Sequence, residues 1–211
     1  MMSIKCSSIG EAWLESCRRI FREGKPMKDG SQDLKELLHL FIIIENPMPE
    51  DPILKKHADK AMTEWMLGNF LEQKRVPELK NALSYGTRLF NYNGKDQVKW
   101  VISKLKEKPE TKAATIPMLM PIEDENYIPC VSVLDFKIRD NKLMLTAMCR
   151  AIDFGKKVYA NMIALHKIQQ IVAEALKVPA GELSMYVVSA HIYDEDYKQM
   201  EKILNQEKEN E

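Results

Sequence analysis

Cys130-Val-Ser-Val-Leu-Asp-Phe-Lys-Ile-Arg139, then Asp140-Asn141, then Lys142-Leu-Met-Leu-Thr-Ala-Met-Cys-Arg150 reads as two strands joined by a hairpin turn. Upstream, Ala113 to Leu119 reads as a third strand. Downstream, Tyr159 to Val178 is the longest helical stretch. It is apolar at Ile163, Ile168, Ile171, Val172 and Leu176, and Pro179 and Gly181 end it. Leu183 to Tyr193 then alternates through Met185, Val187 and Ala190 as a last strand, and a charged helix runs from Lys198 onward.

The N-terminal half supplies helices around this unit. Ile9, Trp13, Cys17, Ile20 and Phe21 fall at helical spacing over Gly10 to Arg22, and Gly24 to Gly30 reads as a flexible loop carrying two lysines. Leu34 to Leu40 continues helically, and Leu40-Phe-Ile-Ile-Ile44 reads as a buried strand closed by Asn46-Pro47. Asp51 to Leu71 is patterned as one helix and Asp96 to Lys106 as another, with Pro109 beyond its end. The expected architecture is a single α+β domain over 1–211, a mixed β-sheet packed against a long central helix.

Lys+Arg and Asp+Glu are both 31, so the net charge of zero gives no basic excess for a nucleic-acid partner, although a local anion pocket fits within that balance. The longest apolar run, Leu40 to Ile44, is too short to cross a membrane. Met1 to Gly10 lacks the apolar segment of a secretory signal. Cysteines at 6, 17, 130 and 149 have no metal-ligand spacing, so the expectation is free thiols, no metal and a cytoplasmic protein.

Four stretches stand out. Pro129-Cys130 puts a cysteine at a strand start, which taken alone is a small buried hydrophobe. Arg150-Ala-Ile-Asp153 with Asn161 is, alone, a charge pair after a strand. His191 and Tyr193 share one strand face and, alone, make a structural hydrogen-bonded pair. Tyr85-Gly86 followed by Asp96-Gln97 is a loop and a helix start.

In chain order these elements resemble the thymidylate synthase family: P-C, F-x-[IV] at Phe136-Lys-Ile138, R-x-x-D-(x7)-N at Arg150, Asp153 and Asn161, then H-I-Y at His191-Ile-Tyr193. Tyr85-Gly86, Asp96-Gln97-Val98 and Leu105 to Lys112 extend the likeness upstream, so it covers about residues 85 to 197. The brevity of the chain and its divergent N-terminal half look most like the short archaeal members.

The resemblance implies a fold of that type, a homodimer, and transfer of a one-carbon unit to C5 of dUMP. The donor would be methylene-tetrahydrofolate or a related tetrahydropterin, including a modified pterin of the methanogen kind. Cys130 would add as thiolate to C6, its pKa lowered by Arg150, which would also grip the phosphate. Asn161 would read the pyrimidine edge and favour uracil over cytosine. His191 and Tyr193 would hold the sugar 3′-hydroxyl, and Asp153 would face both nucleotide and pterin. Tyr85 would help remove the C5 proton through ordered water, organised by a glutamate matched by Glu64, with Glu45 competing. Lys112 would reach the partner's phosphate site.

The departures are specific. Val131 stands where the family has His, Ala151 where it has a phosphate-binding Ser, Cys149 where it has Gln, and Lys112-Ala113 where it has paired arginines. No tryptophan occurs in Arg75 to Ser84, and the end, Glu207 to Glu211, is not the family's apolar cap. Three readings follow: dTMP synthesis, a hydroxymethylase of the same fold, or a non-catalytic nucleotide-binding homologue.

Overall fold

The computed structural model describes residues 2–125 and 127–208; residues 209–211, and so most of the charged end, lie outside that range. The elements are β1 (Met2–Cys6), α1 (Ile9–Glu23), β2 (Lys25–Asp29), β3 (Gln32–Ile44), α2 (Pro52–His57), α3 (Lys60–Leu71), β4 (Arg75–Val76), β5 (Ala82–Leu83), α4 (Tyr85–Phe90), α5 (Gln97–Glu107), β6 (Thr115–Pro117), β7 (Val131–Arg139), β8 (Lys142–Asp153), α6 (Val158–Leu176), β9 (Ala180–Tyr193) and α7 (Asp194–Lys208).

One mixed sheet runs β1-β3-β9-β8-β7-β6, with β2 paired to β3. β1 lies parallel to β3 and β8 parallel to β9, and the remaining pairs are antiparallel. The hairpin turn at Asp140-Asn141 takes positive φ at both residues (49° and 57°), the conformation a two-residue turn requires. α6 is the central helix: it packs on β8, β9, α1, α3 and α5, with Met162, Leu165, Ile168 and Val172 fully or almost fully buried. Each such side chain withdrawn from water contributes about 1.5–3 kcal/mol. α1 begins at Ser8, whose hydroxyl accepts from the Glu11 amide, and lays Ile9, Trp13, Leu14 and Ile20 on the same core.

Several segments differ from the pattern read in sequence. Gln32 to Leu40 is strand, not helix: β2 pairs with Gln32 to Glu36 on one side and β9 runs alongside from Leu34 on the other, and these ladders outweigh the helical spacing of Leu34, Leu37 and Leu38. Lys25 to Asp29 is a strand too, though all five residues are exposed, because β3 supplies its partner. The helix expected over Asp51 to Leu71 breaks at Ala58-Asp59, where the Asp59 carboxylate accepts from the Met62 amide and starts α3. Tyr85-Gly86 opens a short helix rather than lying in a loop. Gly86 is required there because a Cβ would lie 2.3 Å from the Glu72 carbonyl oxygen.

The other face of the sheet carries apolar side chains that the helices leave uncovered. Leu38 is 49% and Met148 44% exposed, with Phe41, Tyr186 and Val188 half-buried. His39 has φ of 62° within β3 and bonds through Nδ1 to the Tyr186 hydroxyl at 2.7 Å.

Candidate active site

A cavity of about 320 Å³ opens where β8, β9 and the start of α6 meet. Its size suits a ligand of nucleotide class, within the usual range of small-molecule pockets of roughly 300–1,000 Å³. Parallel pairing sets its frame: Asp153 at the end of β8 stands opposite His191 on β9. One Asp153 carboxylate oxygen accepts from the Gly155 amide at 2.9 Å and the Lys156 amide at 3.2 Å, fixing the turn into α6. In the first turn of α6, Asn161 is 4% exposed, and its amide donates to the Lys157 carbonyl at 2.9 Å. That bond uses one N–H. The second N–H and both oxygen lone pairs stay available to a ligand.

Tyr193 and His191 project from the same face of β9, their rings edge to face at 5.1 Å. The Tyr193 hydroxyl donates to Asp29 at 2.9 Å, and burial followed by that carboxylate pushes its pKa up to about 12. Burial pulls His191 below its ordinary value, against Asp153, so it is a neutral ring in this setting.

Cys130 precedes β7 on a loop pinned from two sides. The Arg150 guanidinium donates to the Ile128 carbonyl at 2.7 Å and, through Nε, to Ile128 and Pro129 at 3.2 Å. Its contact with the Cys130 sulfur is longer, 3.9 Å. Deeper in, Arg88 is 1% exposed and pairs with Asp124 at 2.5 and 2.9 Å, also donating to the Met118 carbonyl at 2.8 Å. Burial raises the Cys130 thiol, and Arg150, Lys157 and the Tyr127 hydroxyl pull it back only in part. The lowering expected from Arg150 is thus not the net result in the unliganded chain, because the guanidinium is shared with two carbonyls and desolvation is larger.

Tyr85 lies beneath Cys130, its hydroxyl accepting from the Val131 amide at 3.0 Å and its ring stacked on Phe70. Burial holds that phenol far above its ordinary range, so it acts as a protonated group.

Cys130, Tyr85, Arg150, Asp153, Asn161, His191 and Tyr193 therefore share one cavity. Glu64 and Glu45 do not line it. One step along a helix rotates a side chain by about 100°, so Trp65, Met66 and Asn69 of α3 face the cleft while Glu64 is exposed. Glu45 follows the end of β3, outside the cavity, and pairs with Lys5 at 2.7 Å. Lys112 is exposed between α5 and β6, also outside the cavity.

The sequence reading missed Asp29, Trp65, Asn69, Tyr127 and Lys157 as cavity residues. Tyr127 and Lys157 carried a signal, standing three residues before Cys130 and between Asp153 and Asn161. Asp29 carried none, because a five-residue exposed strand delivers it. Among the described residues no group of three or more His, Cys, Asp and Glu side chains could hold a metal, and no helix is long and apolar enough to cross a membrane.

A family model described as thymidylate synthase matches residues 48–211. Similar proteins each carry a provisional thymidylate synthase name. One from Methanosarcina mazei is 36% identical over 95% of this chain and 94% of its own length. One from Methanosarcina acetivorans is 34% identical over 95% and 94%, and one from Methanothermobacter thermautotrophicus is 27% identical over 96% and 98%.

Proposed function

Since the chain belongs to the thymidylate synthase family, we propose that it transfers a one-carbon unit from a reduced folate or related tetrahydropterin to C5 of dUMP, giving dTMP, with Cys130 as nucleophile. The observation that carries this reading is the convergence of Cys130, Asn161, Asp153 and the His191/Tyr193 pair on one cavity.

In this mechanism the Cys130 thiolate bonds to C6 and the C5–C6 π electrons move toward C5 and O4. The remaining Asn161 N–H donates to O4 while its oxygen accepts from N3–H, a pairing that uracil satisfies and cytosine does not. His191 and Tyr193 hold the sugar hydroxyl. Trp65 offers an aromatic face for a flat ring beside the nucleotide, which supports a pterin donor despite the absence of tryptophan in Arg75 to Ser84. Asp153 lies between the two ligands. Tyr85, with Asn69 bonded to its amide at 3.2 Å, takes the role of helping C5 proton loss through water. Glu64 and Glu45 play no part in this version of the reaction.

The chain acts here as one domain and as a homodimer. Uncovered apolar residues of the sheet face, Leu38 and Met148 among them, support pairing. Lys112 is then the cation offered to the partner's phosphate subsite. Mixing Lys112→Ala with Cys130→Ala chains restores activity if sites are shared; mixed dimers without recovery would refute the sharing.

A second reading, nucleotide binding without turnover, draws on the raised Cys130 thiol and on the lack of a glutamate among the described residues that line the cavity. Debromination of 5-bromo-dUMP by the native protein and Cys130→Ser, with added dithiothreitol and no carbon donor, separates the two. Bromide release lost in the variant supports the enzyme. dUMP binding without release supports the second reading. Mass spectrometry of the product then tells methyl from hydroxymethyl.

A further inference from the structure

We infer that Asp29 is a substrate-binding residue that takes the hydrogen of a free 3′-hydroxyl, so that the site selects nucleotides whose 3′ oxygen is unmodified. This deepens the reading in which dUMP is the substrate, and rests on it.

Sheet register brings this carboxylate to the site. Tyr193 stands opposite Leu34 on β3, and Leu34 stands opposite Met27 on β2. Side chains opposite one another across a ladder share a face, and so do alternate residues of one strand. Asp29, two places beyond Met27, is therefore on the face that carries Tyr193 and His191. A two-residue turn with Gly30 at φ 61° returns the chain from Asp29 to Gln32. At the end of its strand, the Asp29 Oδ2 accepts from the Tyr193 hydroxyl at 2.9 Å, and both side chains line the cavity.

That bond fixes what this end of the cavity offers a sugar. Tyr193 has given its hydrogen to Asp29, so its oxygen presents lone pairs. Ser189 gives its hydrogen to Glu36 at 2.5 Å, so its oxygen meets the His191 Nδ1 at 3.5 Å as an acceptor. The neutral His191 then carries its hydrogen on Nδ1 and presents a bare Nε2. Asp29, Tyr193 and His191 all accept here, so a sugar hydroxyl must donate. Asp29 is the charged acceptor among them, and its Oδ1 makes the stronger bond. Asp153, also in the cavity, is 8% exposed and spends an oxygen on the Gly155 and Lys156 amides, whereas Asp29 is exposed at the edge.

A carboxylate at that point discriminates in two directions. An analogue with hydrogen in place of the 3′-hydroxyl covers the carboxylate without supplying a donor. A nucleotide with a 3′-phosphate brings a second anion against it. Neither penalty falls on the uracil ring, so both are read as ratios between ligands that share one base.

The test is calorimetric titration of native protein, Asp29→Ala and Asp29→Asn with dUMP, 2′,3′-dideoxyuridine 5′-monophosphate and deoxyuridine 3′,5′-bisphosphate. Native protein is expected to bind dUMP about 10- to 100-fold more tightly than the dideoxy analogue, and Asp29→Ala brings that ratio under about threefold. Asp29→Asn keeps an acceptor and loses the charge, so it binds the bisphosphate about tenfold more tightly than native protein does. If Asp29 only seats Tyr193, Asp29→Asn gains nothing selectively for the bisphosphate, and that outcome overturns the inference. So does a native ratio retained in Asp29→Ala. Saturable dUMP binding with either of these results sinks the role of Asp29 alone. No saturable dUMP binding by native protein sinks the substrate reading, and the inference with it.

Discussion

Replacing Asp124 by alanine leaves the Arg88 guanidinium buried without its counter-charge. Arg88 is 1% and Asp124 6% exposed, and the pair is bidentate at 2.5 and 2.9 Å. The carboxylate also accepts from the Met120 amide, so its removal strands two sets of donors. Arg88 keeps its bonds to the Leu83 and Met118 carbonyls, which are neutral acceptors and do not balance the charge. Breaking one side of a buried pair costs about 3–5 kcal/mol. For a chain of this size each kcal/mol lowers the melting temperature by about 2–4 °C, so the expected drop is about 6–20 °C. Scanning calorimetry of Asp124→Ala measures it. Arg88→Met/Asp124→Leu, which removes both charges, regains most of the loss, because an apolar pair of similar volume is often neutral or stabilising. A drop under about 2 °C, or a double variant no better than the single, would refute the argument that the charge imbalance holds this loop in place.

Asn161→Asp removes the N–H that meets O4 and places a carboxylate there, so kcat/KM for 5-bromo-dUMP debromination falls about 10- to 100-fold; an undiminished value contradicts the pairing. Glu64→Ala leaves debromination within about twofold, whereas Asn69→Ala, which frees the Tyr85 amide, lowers it about tenfold. The opposite ranking would return the catalytic role to the glutamate. Burial lowers His166 and His191 from the ordinary value of 6.5. The unfolded chain therefore binds these protons first, and their contribution to stability is complete above about pH 6.5 and is lost as pH falls through the lower folded values. Melting temperatures at pH 7.5 and 5 measure the slope, and His166→Gln flattens it; an unchanged slope counts against the burial argument.

The β7–β8 hairpin and α6 were legible because alternation and helical spacing there agree with the tertiary context. Lys142 to Asp153 alternate largely between buried and exposed and Val131 to Arg139 largely between buried and half-buried, and α6 is apolar over most of its circumference. β3 was not legible over Leu34 to Leu40, since Leu34, Leu37 and Leu38 fit a helix as well as a strand, and the choice is made by β2 just before it and by β9 near the end of the chain. At the site, residues recognised by motif spacing lie on β8, α6 and β9, where register carries sequence distance into space. Glu64 stands one position from the cleft-facing Trp65 and is exposed, because on α3 one position decides whether a side chain meets the cleft or water. Asp29 and Tyr193 are 164 positions apart, a contact that no local pattern announces.

The same arrangement has a consequence during synthesis. Leu40-Phe-Ile-Ile-Ile44 gains β1 beside it early, but its other edge pairs with Leu183 to Val187, some 139 residues later at Ile44. At ordinary translation speeds that edge waits about 7–28 s for its partner. It is a short, uncharged, β-branched segment, the kind that templates association between nascent chains while unpaired. The strand that ends the wait also delivers His191 and Tyr193, so a ribosome that stalls before β9 leaves an exposed sheet edge and half a cleft in the same molecule.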